Sequence, residues 1–309
     1  MIFNMQKLRV GVVGIGHLGE RHARLYREIQ NCSLSALCDL NNERLEGLSR
    51  ELGVASYSDY HQLFGKIDAV SIVTPTKLHY QISREFLKHG IPVLVEKPFT
   101  SDIKEADELI RLARKNKLIL QVGHVERFNS AFFATQKLIK DPRFIECHRL
   151  SPFPNRSLDI GVVLDLMIHD IDIVLGLVDS PLKKTEAVGV AVLTSLEDIA
   201  NVRLTFKNGC VANLTASRVS DEGMRKIRIF LKNAYISLDY KNEEAFVYNK
   251  TAGGITKQAL PIEREQPLKK ELISFLDCVI NNKTPLVSGE VAREALAVAL
   301  KIQYQIWHR

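Results

Sequence analysis

From residue 7 onward, short β-branched runs alternate with longer stretches in which apolar residues recur every three to four positions. KLRVGVV (7–13) reads as a buried strand, GIGHLG as the turn that ends it, and ERHARLYREI as an amphipathic helix. The unit then repeats: SLSALCDL (33–40) with NERLEGLSREL, IDAVSIVTP (67–75) with HYQISREFLKHG, PVLVEKP (92–98) with a helix over roughly 101–116, and a last strand at LILQVGH (118–124). Strands alternating with helices in this way predict a doubly wound parallel α/β sheet.

Past residue 124 the rhythm changes. TEAVGVAVL, ANVRLTF, CVANLTAS, RKIRIFLK, AYISLDY and EAFVYN follow one another through short turns such as KNG at 207–209, the pattern of antiparallel strands. Helical patterns over 267–281 and 289–306 close the chain, and no internal repeat is present. The expected organisation is a parallel-sheet domain over 1–124 and an α+β domain with a large, mainly antiparallel sheet over 125–309. Within the second, LDLMIHDID (164–172) stands out. At about 100° per residue, Asp165, His169 and Asp172 share a fan of roughly 60° on a helix that is otherwise apolar, whereas Asp170 points away and suits a local salt bridge or cap.

Composition narrows the class. A chain of 309 residues exceeds one compact core, in keeping with two domains. Apolar residues at 46% and charged residues at 25% are those of a soluble globular protein. The excess of 42 Lys+Arg over 36 Asp+Glu, a formal +6, is spread along the chain, which argues against a nucleic-acid-binding arm and weakly favours an anionic small molecule. Five cysteines, an odd number without close pairs, fit a reducing, cytoplasmic compartment. The first ten residues are too short an apolar stretch for a signal peptide, and no later run predicts membrane insertion.

The chemistry begins at Gly14-Ile15-Gly16-His17-Leu18-Gly19. This GxGxxG follows a strand and opens a helix, as a Rossmann dinucleotide loop does: Gly14 for the tight turn, Gly16 for approach of the pyrophosphate, Gly19 for close helix packing, with helix N–H groups toward phosphate. Asp39 ends the second predicted strand, where an acid accepts the ribose hydroxyls of NAD and repels the 2′-phosphate of NADP. Two alternatives stand beside this: Asp39 as a cap for the next helix, and Arg44 as a donor that receives the 2′-phosphate of NADP. Ligands of such sheets lie beyond the carboxyl ends of the strands, which here carry Thr74-Pro75-Thr76 and Glu96-Lys97-Pro98. Lys97 at such an end is expected in the cleft, the alternative being a surface lysine before a turn.

These motifs, in their order and spacing, resemble the glucose-fructose oxidoreductase, inositol dehydrogenase and rhizopine-catabolism (Gfo/Idh/MocA) family. The resemblance covers nearly the whole chain and rests on GxGxxG, TPTKLHY, VEKPFTSDIKEADELI, VGHVERFN and the Asp-x-x-x-His of LDLMIHDID. It implies a cofactor side that includes His79 and Glu96, a catalytic Lys97, and Asp165 and His169 facing the nicotinamide and the substrate. VGHVERFN with SPFPNRSLDIGVVLDLMIHDID is similar to the branch containing UDP-N-acetylglucosamine 3-dehydrogenases. The resemblance also implies a homodimer or homotetramer and no metal; one histidine without a second nearby lacks the usual ligand set.

Residue types then suggest a mechanism for a secondary alcohol. His169, with an unperturbed pKa near 6.5, is the natural base; Asp165 orients it, and Lys97 polarises the oxygen. Arg127, Asn129 and Arg156 are candidates for substrate contact, arginine being suited to a diphosphate, though each could equally be a surface residue. The expected activity is NAD(P)-dependent oxidation of a sugar or nucleotide sugar. The alternatives are an inositol or free-sugar dehydrogenase and, in another class, a dinucleotide-binding regulator without turnover.

Overall fold

The structure is a computed structural model that describes residues 7–153 and 159–308. The chain forms two compact units: residues up to His124 together with Leu268–Arg293, and Val125–Pro267 together with the residues from Glu294 on. The segment 268–293, which sequence order alone assigns to the second half, thus packs with the first.

The first unit carries a six-stranded sheet built from β1 (Leu8–Val13), β2 (Cys32–Cys38), β3 (Ala55–Tyr57), β4 (Ala69–Ile72), β5 (Val93–Glu96) and β6 (Leu120–Gly123). All pairs are parallel in the order β3-β2-β1-β4-β5-β6, the dinucleotide-binding topology in which the chain reverses direction across the sheet on either side of β1. Between the strands run α1 (His17–Glu28), α2 (Asn42–Leu52), α3 (Thr76–Lys88) and α4 (Ile103–Asn116). Their limits follow local chemistry: Asn41 caps α2 by accepting the Arg44 N–H at 3.0 Å, and Gly53 ends it at φ 64°, a left-handed conformation that glycine adopts without strain. β3 escapes the periodicity because it has three residues, none fully buried, at a sheet edge.

The core of this unit joins Val10, Leu34 and Leu94 from the sheet to Leu272, Phe275 and Leu276 from α7 (Pro267–Asn281). β6 is not left as an open edge. Val122 donates its N–H to the Val287 carbonyl at 3.0 Å, and Gln121 forms a bridge with Ser288.

The second unit is an eight-stranded sheet in the order β14-β13-β12-β11-β7-β10-β9-β8. Its strands are β7 (Phe144–Leu150), β8 (Leu182–Val190), β9 (Ile199–Phe206), β10 (Val211–Ser217), β11 (Met224–Phe230), β12 (Ala234–Asp239), β13 (Glu244–Thr251) and β14 (Gly254–Ala259). Every pair is antiparallel except β7 with β10 at the centre. One face is buried under α5 (Ser130–Thr135) and α6 (Ile168–Leu177); the other is half-exposed and carries a row of stacked rings, Phe144, Phe230, Tyr235 and Tyr248. α8 (Gly289–Trp307) closes the chain.

Candidate active site

In the first unit the glycine loop has the geometry its sequence calls for. Gly14 sits at φ 86°, and a Cβ on Gly19 would lie 1.8 Å from the Gly14 carbonyl oxygen, so only glycine lets α1 come this close to β1. A Cβ on Gly16 would meet nothing nearer than Arg44 Nη1 at 3.9 Å, which leaves room for a pyrophosphate to approach the backbone. Gly16 caps α1 without a side-chain acceptor, and the exposed His17 and half-buried Leu18 begin the helix whose N–H groups suit an anion. These features fit a dinucleotide.

Asp39 is drawn into this loop. Its Oδ2 accepts the Ile15 N–H at 2.7 Å and its Oδ1 the Asn41 N–H at 2.8 Å, so the carboxylate is held rigidly just beyond β2. The helix cap is Asn41, not Asp39. Beyond β4, Thr74 and Thr76 are half-buried and Pro75 is exposed; the Thr74 hydroxyl oxygen is buried without a hydrogen-bond partner.

Two residues expected on the cofactor side make inward contacts. His79 is buried, with Nδ1 2.8 Å from the Pro98 carbonyl and Nε2 2.8 Å from the Thr74 carbonyl. It braces the two strand-end loops against each other. Burial lowers its pKa, opposed by these carbonyls, and a neutral ring donates to only one of them at a time. Glu96 is also buried and faces inward: its Oε1 lies 3.2 Å from His22 Nε2, its Oε2 accepts the Lys97 N–H at 3.3 Å, and a Cβ on Gly123 would come within 2.7 Å of the carboxylate. Lys97 follows at the strand end, half-buried, and is joined to Pro98 by a cis peptide bond.

Beneath Glu96 lies a polar cluster that pattern reasoning did not find. Glu271 of α7 is fully buried with neither carboxyl oxygen hydrogen-bonded; burial and the Glu96 charge push its pKa well up, in the direction that favours the neutral acid. Tyr26, whose hydroxyl is 2.8 Å from the Ser71 hydroxyl, belongs to the same cluster, and burial raises its pKa too.

In the second unit, LDLMIHDID does not form one continuous α-helix. Val163–Met167 make a π-turn and α6 starts at Ile168. Asp165 thus lies in the π-turn and His169 and Asp172 in the α-helix that follows it. Asp165 is half-buried and donates its N–H to the Gly161 carbonyl at 3.0 Å; His169 is 9% exposed. The entry to this turn is fixed by Glu197, which takes the Val162 N–H on its carbonyl at 2.8 Å, and a Cβ on Gly161 would collide with its carboxylate. Gln303 and Trp307 of α8 donate to that carboxylate at 3.0 and 3.1 Å. Beside it the buried pair Arg218–Asp198 closes at 2.8 Å. Burial opposes the Asp198 charge, but donors from Thr194, Arg218 and Leu193 outweigh it and hold the carboxyl below its usual range.

Arg127 and Asn129, expected to contact the substrate, have partners within the second unit. The Arg127 fork is spent on Asp172, with Nε to Oδ2 at 2.6 Å, Nη2 to Oδ1 at 3.1 Å and Nη2 to the main-chain oxygen at 2.8 Å. Asn129 is buried as the cap of α5, accepting the Ala131 N–H at 3.0 Å and donating to the Tyr240 carbonyl at 3.3 Å. Arg156 lies outside the described residues. Asp170 is in a salt bridge whose partner, Arg149, the sequence did not betray: Nε and Nη2 each reach the carboxylate at 2.9 Å, and Nη1 reaches Glu126 at 2.7 Å. Burial opposes the Arg149 charge, but Asp170 and Glu126 hold its pKa well above the ordinary value. Among the described residues no group of three or more His, Cys, Asp or Glu is placed to hold a metal ion.

Comparison with known proteins adds to this geometry. Residues 8–124 match the model of an oxidoreductase family with an NAD-binding Rossmann fold, and residues 134–237 match the GFO/IDH/MocA C-terminal domain. The chain is 38% identical to a UDP-N-acetylglucosamine 3-dehydrogenase of Acidithiobacillus ferrooxidans over 98% of both chains, and a solved structure of that protein superposes with a TM-score of 0.92. A myo-inositol 2-dehydrogenase of Thermotoga maritima is 28% identical over 94% of this chain and 93% of its own. A levoglucosan dehydrogenase in complex with NADH, 18% identical over 98% of both chains, shares the fold with a TM-score of 0.90.

Proposed function

The chain belongs to the Gfo/Idh/MocA family of NAD-binding oxidoreductases, and on that premise we propose that it oxidises the 3-hydroxyl of UDP-N-acetylglucosamine to the ketone. The observation that carries the substrate is the full-length identity of 38% to a dehydrogenase of that name, against 28% to an inositol dehydrogenase. NAD, when bound, would supply the hydride acceptor for oxidation of the carbinol carbon. Gly14, Gly16 and Gly19 would hold its pyrophosphate at the start of α1, and Asp39, already oriented by two backbone N–H groups, would receive the ribose hydroxyls.

The chain's own side chains handle the proton. His169 takes it from the substrate hydroxyl, Asp165 stabilises the resulting imidazolium, and Lys97 stabilises the negative charge that develops on the oxygen. The half-exposed face of the eight-stranded sheet, with its row of stacked rings, is suited to pairing subunits as a homodimer or homotetramer. Five buried, unpaired cysteines suit a reducing cytoplasm. Among the described residues no helix is long and apolar enough to cross a membrane.

Incubation with NAD and a panel of UDP-sugars and free inositols, following the absorbance of reduced nicotinamide, tests the substrate. Turnover of UDP-N-acetylglucosamine is expected. Turnover of inositols alone would replace the substrate class, and cofactor binding without turnover across the panel would favour a regulator.

A further inference from the structure

We propose that the turn at Glu126-Arg127, working with Arg149, is a positioning device that sets the rotation of the helix carrying His169. The inference rests on His169 as the base of the proposed reaction. Five charged side chains, Glu126, Arg127, Arg149, Asp170 and Asp172, lie around this one helix, and each is at most 11% exposed. Burial of this kind is a poor way to gain stability, because desolvating an ion pair tends to offset the attraction it returns. What a two-pronged arginine contact does supply is direction.

The directions converge on His169. With about 100° per residue along α6, Asp170 lies roughly 100° to one side of His169 and Asp172 roughly 60° to the other. Arg149 grips the first with two nitrogens at 2.9 Å; Arg127 grips the second at 2.6 and 3.1 Å and adds a bond to its carbonyl. Rotation of the helix in either sense therefore breaks a bidentate contact. Both grips also meet in one dipeptide, since Arg127 acts directly and Glu126 holds Arg149 at 2.7 Å.

Gly176 supports the same assignment independently. A Cβ there would stand 2.2 Å from Arg127 Nη1, so the next turn of the helix is kept bare where the guanidinium lies across it. Arg127 is thus fitted to the helix backbone as well as to one carboxylate. Arg127 and Arg149 are positioning residues in this account.

The test uses two variants of the full chain. Arg127→Met combined with Asp172→Leu removes both charges of this pair while keeping apolar bulk. Gly176→Ala keeps every charge and displaces the Arg127 fork, and it carries the test should the double variant not fold. Folded variants are expected to lose at least about tenfold in kcat while KM for the sugar nucleotide and the NAD dissociation constant stay within about twofold. The ring resonances of His169, assigned by their loss in His169→Gln, are expected to shift or broaden. Wild-type kcat and unmoved His169 resonances in the folded variants would overturn the proposal. Should the wild type oxidise no nucleotide sugar, only the substrate assignment falls, and the His169 resonances still decide the positioning role.

Discussion

Replacing Glu271 by glutamine should make the protein more stable, and increasingly so as pH rises. Glu271 is fully buried, neither carboxyl oxygen is hydrogen-bonded, and Glu96 is close enough to raise its pKa further. In the unfolded chain it ionises near the ordinary value of about 4.3. Above that pH the folded state keeps a proton that the unfolded state has released. Raising the pH therefore favours unfolding, by up to about 1.4 kcal/mol per unit, until the raised folded-state pKa is reached. Glutamine has the shape of the neutral acid and no such dependence. Between pH 5 and 7 the variant should gain up to about 2.7 kcal/mol over the wild type, or roughly 5–11 °C in apparent midpoint at the 2–4 °C per kcal/mol typical of domains of about 150–250 residues. Thermal unfolding without NAD, followed by circular dichroism at several pH values, measures the difference. Wild-type and variant midpoints that run parallel from pH 5 to 8 would show that Glu271 is ionised in the folded protein, refuting the argument.

Lys97→Ala and His169→Ala should each lower turnover by at least about 10²-fold while the NAD dissociation constant stays within about twofold; undiminished kcat would remove either residue from the chemistry. Gly16→Ala should fold and bind NAD weakly, because its Cβ enters open space, whereas Gly19→Ala should lose thermal stability as well, because its Cβ falls 1.8 Å from a carbonyl oxygen; equal melting temperatures would contradict this contrast. Asp39→Ala removes the acceptor of the Ile15 N–H and the charge that repels a 2′-phosphate, so titration should show weaker NAD binding and a smaller preference over NADP. An unchanged NAD constant would take Asp39 out of the site.

Sequence patterns reported on neighbours along the chain better than on partners across it. The glycine loop and the strand-end lysine are local patterns, and the structure has each where the periodicity puts it; His169 is on the expected helix, with Asp165 in the turn before it. β7 was missed because one of its inward positions is Arg149, whose charge is compensated only by Glu126 and Asp170, and so the alternation looks broken. β14 has no buried residue and thus no apolar signal. The π-turn was invisible because VVLDLM is apolar around most of its circumference. The partners of Arg127, His79 and Glu96, namely Asp172, two main-chain carbonyls and His22, come from separate segments that no local pattern joins.

The return of residues 268–293 to the first unit bears on how the protein is made. Leu272, Phe275 and Leu276 complete the core that Val10, Leu34 and Leu94 begin, yet they leave the ribosome only after the entire second sheet has been synthesised. At about 5–20 residues per second, the nucleotide-binding half waits roughly 8–30 seconds for its last apolar layer. During that interval the emerging chain shows bare hydrophobic surface on one side of a parallel sheet, a natural target for chaperones. A fragment cut at residue 124 would be frozen in that state, so cofactor binding should be studied on the intact polypeptide.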